Sequence, residues 1–157
     1  MAYAVIRTDL MSGTKQPADL VSLRFYDASG NKAEVENGVI VKLQGYEDGE
    51  REVMKAVAAS AGDDLNDCAI VAAPEVMYDE RKKNLDEFIN EAGKATRGYI
   101  PRSRNVFSVT KEGFVGGTVP TKGAEVGIGT GGKIDAAGKG LGACVDAVSY
   151  THLTLPT

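Results

Sequence analysis

The chain contains no tryptophan, four phenylalanines, two cysteines and a single histidine among its 157 residues. Cys68 and Cys144 stand far apart and form no CxxC pair, so the spacing predicts two reduced thiols and neither a zinc ribbon nor a disulfide framework. No apolar run approaches the roughly twenty residues of a membrane helix, and residues 1–20 lack the apolar core of a signal peptide. We therefore expect a cytoplasmic or particle-associated protein that makes no membrane contact.

Positive charge is also in short supply. The 18 Lys and Arg residues face 22 Asp and Glu residues, which gives a formal net charge of −4. A nucleic-acid groove needs a surplus of cations on one surface, so we expect no nucleic-acid partner. Arg97, Arg102 and Arg104, with Tyr99 among them, form the one basic and aromatic cluster. Such a cluster could contact a phosphate backbone, but the net charge favours an acidic protein neighbour.

Glycine is what the chain has in excess. There are 19 glycines, and eleven of them lie in the thirty residues from Gly113 to Gly142. Residues 127–133 match GxGxxG and all of the Walker pattern except its final Ser or Thr, which here is Ile134. A phosphate-binding loop leads directly into a helix, whereas the glycines that follow Lys133 disfavour one. We expect turns and bulges between short strands at this place, and no phosphate site.

Alternating hydrophobicity predicts a mainly β domain. From Leu20 onward, Val21, Leu23 and Phe25 share one face of a strand, and the same period recurs at 39–44 and 52–58. Asn37-Gly38 and Asp48-Gly49 predict tight turns before and after the second of these strands. Residues 68–73 form a short, continuous apolar run, which is typical of a strand buried on both faces. Further strands are predicted at 98–100, 105–110, 124–128 and 141–148.

One short α-helix is predicted over about residues 85–92. Asn84 and Glu87 have the spacing of a capping box, Phe88 and Ile89 belong to an apolar stripe, and Gly93 is suited to the C-cap. Together these signals predict a hairpin-built β-barrel or sandwich with one short helix. The predicted layout is an extended N-terminal arm at residues 1–19 and a single β-rich domain at residues 20–148.

The last nine residues, SYTHLTLPT at 149–157, differ in style from the rest of the chain. They look like translated sequencing-adapter sequence, so we expect a non-native tail and a natural protein that continues past about Val148. The histidine, His152, lies in this tail and is given no functional weight. A genuine disordered terminus, the alternative, would leave His152 equally unimportant.

Groups suited to catalysis are few. An acidic cluster could supply paired carboxylates or a cation site, but Arg and Lys side chains interrupt it, which is typical of a solvated surface. Its members are Asp79, Glu80, Asp86, Glu87 and Glu91. The cysteines lack a histidine base outside the suspect tail, and no serine stands in a GxSxG elbow. We therefore predict no catalytic, cofactor-binding or metal-ligating residues, and a protein that is not an enzyme.

Several segments resemble the small β-rich virion proteins of tailed phages of gut bacteria, which serve as head, capsid-decoration or auxiliary proteins. The resemblance covers most of residues 5–128 and is carried by residues 5–10, 37–43, 73–80, 85–93, 97–99 and 106–110. It implies a protein that binds a lattice of major capsid protein or other virion proteins, often as a homotrimer or other small homo-oligomer, with no active site. The expected location is the virion, and the host cytoplasm during assembly.

Two structural expectations follow from this resemblance and its rival. As a decoration protein, the chain would use residues 2–19 as a docking arm along a neighbour. The alternative is a ligand- or carbohydrate-binding β module of a phage tail or surface protein. That alternative predicts that Tyr26, Tyr46, Tyr78 and Tyr99 converge on one groove.

Overall fold

The computed structural model describes residues 2–11, 14, 19–76, 81 and 84–147. Within these residues five strands close a barrel in the order β1-β3-β2-β4-β5, and three more form a small sheet in the order β7-β6-β8. The mainly β fold with a barrel, predicted from the alternation, is confirmed. The strands are β1 Leu20–Phe25, β2 Ile40–Tyr46, β3 Val53–Ala58, β4 Cys68–Val71, β5 Thr96–Tyr99, β6 Glu125–Ile128, β7 Ile134–Asp135 and β8 Gly142–Ala143.

The barrel mixes two kinds of strand pairing. β2 and β3 form the antiparallel hairpin predicted at Asp48-Gly49, with a register shift between Leu43 and Tyr46. β1 pairs in parallel with β3 and antiparallel with β5, so β3 separates it from β2, the next strand in sequence. The Asn37-Gly38 turn therefore leads into β2 without joining it to β1. Its amide at Gly38 donates to the Val71 carbonyl at 2.7 Å, which fixes the turn against β4.

Two apolar cores share one wall of the barrel. The inner core fills the barrel and includes Leu23, Val41 and Val71. The outer core lies between the outside of β2 and β4 and the small sheet, and it includes Ile40 and Ile70. All four residues of β4 are buried, so the predicted strand with two buried faces is confirmed.

The predicted α-helix at 85–92 is wrong. The capping-box bond forms, with the Asn84 amide donating to Glu87 Oε2 at 3.0 Å, but the helix is a single 3₁₀ turn at Leu85–Glu87. Asn90 instead forms an antiparallel bridge with Val35, and its amide donates to the Val35 carbonyl at 3.0 Å. That amide would bond to residue 86 in an α-helix, so the bridge replaces the second turn.

The remaining helical elements of the described chain are equally short. They are 3₁₀ turns at Thr8–Leu10, Leu65–Asp67, Lys111–Gly113, Val115–Gly117 and Thr130–Gly132. None of the helices in the described part has the length and hydropathy needed to cross a bilayer. The predicted strand at 105–110 is reduced to isolated bridges at Val106 and Val109, the second of them to Ile6, and the one at 141–148 is reduced to β8. Val148 and the tail at 149–157 lie outside the described residues.

Candidate functional site

The glycine-rich segment forms turns between strands, as predicted. Residues after β6 make the 3₁₀ turn Thr130–Gly132 and continue into β7, so no helix N-terminus faces this loop. A Cβ at Gly127 would lie 2.5 Å from the Lys139 amide nitrogen, because two backbones cross there. Lys133, at the place of the Walker lysine, donates to the Glu112 carbonyl at 2.9 Å and lies 3.8 Å from the Glu36 carboxylate. Its ammonium therefore stabilises the small sheet.

The predicted arginine cluster does not form a continuous basic surface. Arg102 bonds to Asp19 at 3.0 Å and to the Asn66 side chain at 2.7 Å, which joins the start of β1 to the turn before β4. Arg97 lies on the outside of β5, opposite Ser22. Arg104 occupies an exposed turn with a positive φ of 74°. Only Arg97 thus presents its charge on an open strand face.

The predicted acidic cluster is only partly described, and two of its members have specific partners. Asp79 and Glu80 fall outside the described residues, Glu87 caps the 3₁₀ turn and Glu91 pairs with Lys94. The described ranges contain no group of three or more His, Cys, Asp or Glu residues placed to hold a metal. Both cysteines are free thiols, as predicted. Burial, followed by the charges of Asp63 and Asp67, raises the pKa of the fully buried Cys68.

The three tyrosines of the predicted set that the structure describes do not share a groove. Tyr26 follows the end of β1, whereas Tyr99 pairs with Leu20 at its beginning, about 20 Å away at the usual rise of a strand. Tyr99 packs against Phe107, with ring centroids 6.4 Å apart. Tyr46 is largely exposed on β2, and Tyr78 lies outside the described residues.

A polar cluster surrounds Tyr26 at one end of the barrel. Glu47 accepts hydrogen bonds from Arg24 and from the Tyr26 hydroxyl, and the Lys55 ammonium lies 4.9 Å from the Tyr26 ring centroid. The cluster lines a depression of about 260 Å³, which Asp48 also lines. These contacts tie β1 to the β2–β3 hairpin, and positive and negative groups are interleaved.

A second, larger depression of about 440 Å³ opens beside β5. Val76, Phe88 and Ile89 supply apolar parts of its wall. Charged side chains of both signs complete it, namely Glu87, Glu91, Lys94 and Arg97. These two carboxylates and two cations sum to zero net charge, so the charge of the lining favours neither anions nor cations.

Three buried polar side chains form a network below this depression. Asn37, only 1% exposed, donates from Nδ2 to the Ala73 carbonyl and accepts from the Ala73 amide, both at 3.0 Å. Asn90 donates to Asn37 Oδ1 at 3.0 Å and accepts from the Thr96 hydroxyl at 2.8 Å. Asn37 also bonds to Glu75, whose pKa is raised chiefly by burial and lowered by this bond. The network joins the segment before β2 to the segment after β4 and to the segment that leads into β5.

Residues 3–7 fill a groove in their own domain. Ala4, Val5 and Ile6 are at most 3% exposed, and Ile6 belongs to the outer core. The backbone bonds of the segment run from Tyr3 to Asp86 at 2.8 Å, from Arg7 to Ser108 at 2.8 Å and from Thr110 to Val5 at 3.0 Å. This part of the predicted arm is therefore extended, as expected, but it completes the core. Residues 2–19 are predicted to dock along a neighbour. Residues 3–7 can do so only if they leave this groove; otherwise the docking contact must come from the residues that follow them.

Among the described strands, β8 forms one edge of the small sheet, and no described strand pairs with its outer side. The Cys144 amide donates to the Ala124 carbonyl at 2.8 Å, and by the alternation of a strand the polar backbone groups of Ala143 point the other way. Within the described ranges β8 has β6 as its one neighbour, and both its residues are exposed. Val145 and Val119 beside it are 68% and 48% exposed. A free strand edge with aliphatic neighbours is suited to accept a further strand.

Comparison with known proteins yields no relative. No protein-family model matches the chain, and none of the curated proteins or solved structures compared with it is significantly similar.

Proposed function

We propose that this chain is a virion structural protein of a tailed phage, which binds the head lattice as a capsid-decoration or auxiliary head protein. The sequence resemblance to small β-rich virion proteins supports the proposal. In this role the partners are the major capsid protein or other virion proteins, and the protein associates as a small homo-oligomer such as a trimer. It acts in the virion and, during assembly, in the host cytoplasm.

The structural observation that carries the proposal is the open edge of β8. Its outward backbone groups can pair with an extended strand of a capsid subunit, while Val145 and Val119 provide apolar contact beside that pairing. Each contact of this kind is small. On a capsid the contacts repeat over many subunits, and avidity among linked copies raises the overall affinity by roughly 10²–10⁴.

Sedimentation with capsids tests the proposal directly. The purified protein is mixed with capsids assembled without it, from the phage whose genome encodes it, and the pellet is assayed for both proteins. We expect the chain to sediment with the shells at a fixed ratio to the capsid subunit. A chain that stays in the supernatant at all concentrations would exclude the proposal.

Two variants locate the contact on the shell. Ala143→Pro removes an outward amide without breaking a bond to β6, so it is expected to weaken capsid binding by tenfold or more, about 1.4 kcal/mol. Thr130→Ala changes an exposed residue in the turn between β6 and β7, beyond the β6 residues that pair with β8, and serves as the control. Equal binding by both variants would remove β8 from the interface while leaving capsid binding itself intact.

A further inference from the structure

The N-terminal segment 3–7 is attached to its domain in an unusual way. Ala4, Val5 and Ile6 are buried like the residues of a core strand, yet the twelve residues 8–19 are the connection of this segment to β1. The described beginning of this connection, the turn Thr8–Leu10, contains no buried residue, and Leu10 is 51% exposed. The segment is thus held by its groove, while the described start of the connection lies on the surface.

The length of this connection matches the size of the domain. Twelve extended residues span at most about 40 Å. A compact chain of this size has a radius of gyration of about 15 Å, which corresponds to a diameter of about 40 Å. The connection therefore reaches the equivalent groove of a copy packed directly alongside, but not one further away.

We infer that residues 3–7 form an exchangeable strand, which in a closely packed assembly occupies the groove of a neighbouring copy. The contacts made after exchange are chemically identical to those within one copy. The free-energy difference between the two forms therefore comes only from the entropy of the connection and from the concentration of copies. A tethered segment has an effective concentration in the millimolar range. Copies held side by side on a capsid lattice present their segments to one another at a comparable concentration. For exchange on a capsid, the inference rests on the proposed function.

The pairing of Ile6 with Val109 gives a specific reporter of exchange. The two residues face each other in an antiparallel bridge, and the flanking bonds place them as a pair without mutual backbone hydrogen bonds. In such pairs the Cα atoms are about 4.5 Å apart, which a disulfide can span. Both side chains also face the outer core, so cysteines at the two positions point toward each other.

The test uses two variants that carry one new cysteine each, Ile6→Cys and Val109→Cys, in a Cys144→Ser background. They are mixed at equal amounts and about 1 mM total, unfolded in urea, refolded together and oxidised. A disulfide between the two new cysteines can form only if a segment has entered the other copy's groove. Each groove then meets its own segment and the segments of other copies at similar concentrations, and half of the latter come from the Ile6→Cys variant. We therefore expect about a quarter of the Val109→Cys chains in a covalent dimer on a non-reducing gel.

The doubly substituted chain, with both cysteines in one copy, is the positive control and is expected to form the internal disulfide when dilute. An efficient internal disulfide with no mixed dimer would overturn the inference. If the substitutions prevent folding, isotope-filtered nuclear Overhauser spectra of labelled and unlabelled wild-type chains refolded together replace them. There the Ile6–Val109 contact appears between copies if segments exchange, and its confinement to single copies would overturn the inference. Since neither measurement contains capsids, a failure here leaves the sedimentation result unaffected, and the reverse also holds.

Discussion

Replacement of Asn37 tests the most connected polar side chain of the described structure. Asn37→Ala removes the acceptor for the Ala73 amide and for Asn90 Nδ2, and the donor for the Ala73 carbonyl. Both partner residues are buried, with exposures of 7% for Ala73 and 8% for Asn90. Each buried polar group left without a partner costs about 1–3 kcal/mol. The Ala73 amide and carbonyl both lose their side-chain partner, and Asn90 Nδ2, which keeps its bond to the Val35 carbonyl, loses one of its two bonds. Together these losses predict a destabilisation of about 3–5 kcal/mol.

The free energy of unfolding is obtained from urea titrations followed by far-UV circular dichroism, since the chain has no tryptophan. With a slope of about 2 kcal/mol/M, the expected loss moves the midpoint down by about 1.5–2.5 M. Asn31→Ala is the matched control, because Asn31 is exposed and its bonds to Asp27 are made by its backbone amide and carbonyl, which the substitution keeps. It is expected to change the stability by less than about 0.5 kcal/mol. A loss below about 1 kcal/mol for Asn37→Ala, with an unchanged slope, would refute the assigned role of the network.

Three further substitutions or labelling experiments examine separate features. Burial raises the pKa of Glu75, so stability falls as the pH rises from the ordinary carboxyl pKa through the raised one, and the loss is complete above the raised pKa. Glu75→Gln is expected to raise the urea midpoint near pH 7 and to leave it unchanged near pH 3, where both side chains are neutral. Gly127→Ala forces a methyl group against the backbone at Lys139 and is expected to cost about 2–3 kcal/mol by thermal unfolding, whereas Gly142→Ala, in open space, is expected to be neutral. Thiol labelling under native conditions is expected to modify Cys144 and to reach Cys68 only on unfolding, and equal rates at the two thiols would contradict the burial of β4.

Local sequence patterns predicted the strands well but not all of their partners. Val21, Leu23 and Phe25 alternate because one face of β1 lines the barrel, and the Asp48-Gly49 turn is encoded by two adjacent residues. The parallel pairing of β1 with β3 depends on residues about thirty positions apart. No local period carries that information, since alternation describes the faces of a strand and not its neighbour.

The two other differences arise from tertiary contacts that override local preference. The capping box at Asn84 forms as predicted, but Asn90 gains backbone and side-chain bonds to Val35 that a helix of two turns cannot match. At the N-terminus, the apolar residues Val5 and Ile6 carry a signal for burial, but without periodicity this signal does not distinguish a core segment from an extended arm. The glycine-rich loop was predicted correctly because helix-breaking residues after Lys133 are a local feature.

The shared wall formed by β2 and β4 has a consequence for how the protein unfolds. Loss of the small sheet would expose Cys68 and Ile70, and opening of the barrel would expose Ala69 and Val71. Neither half can therefore unfold while all four residues of β4 stay buried. The two halves are therefore expected to melt in one cooperative transition, and the amides of β4 to be among the slowest to exchange with deuterium. Four consecutive residues thus couple the barrel to the sheet that bears the open edge.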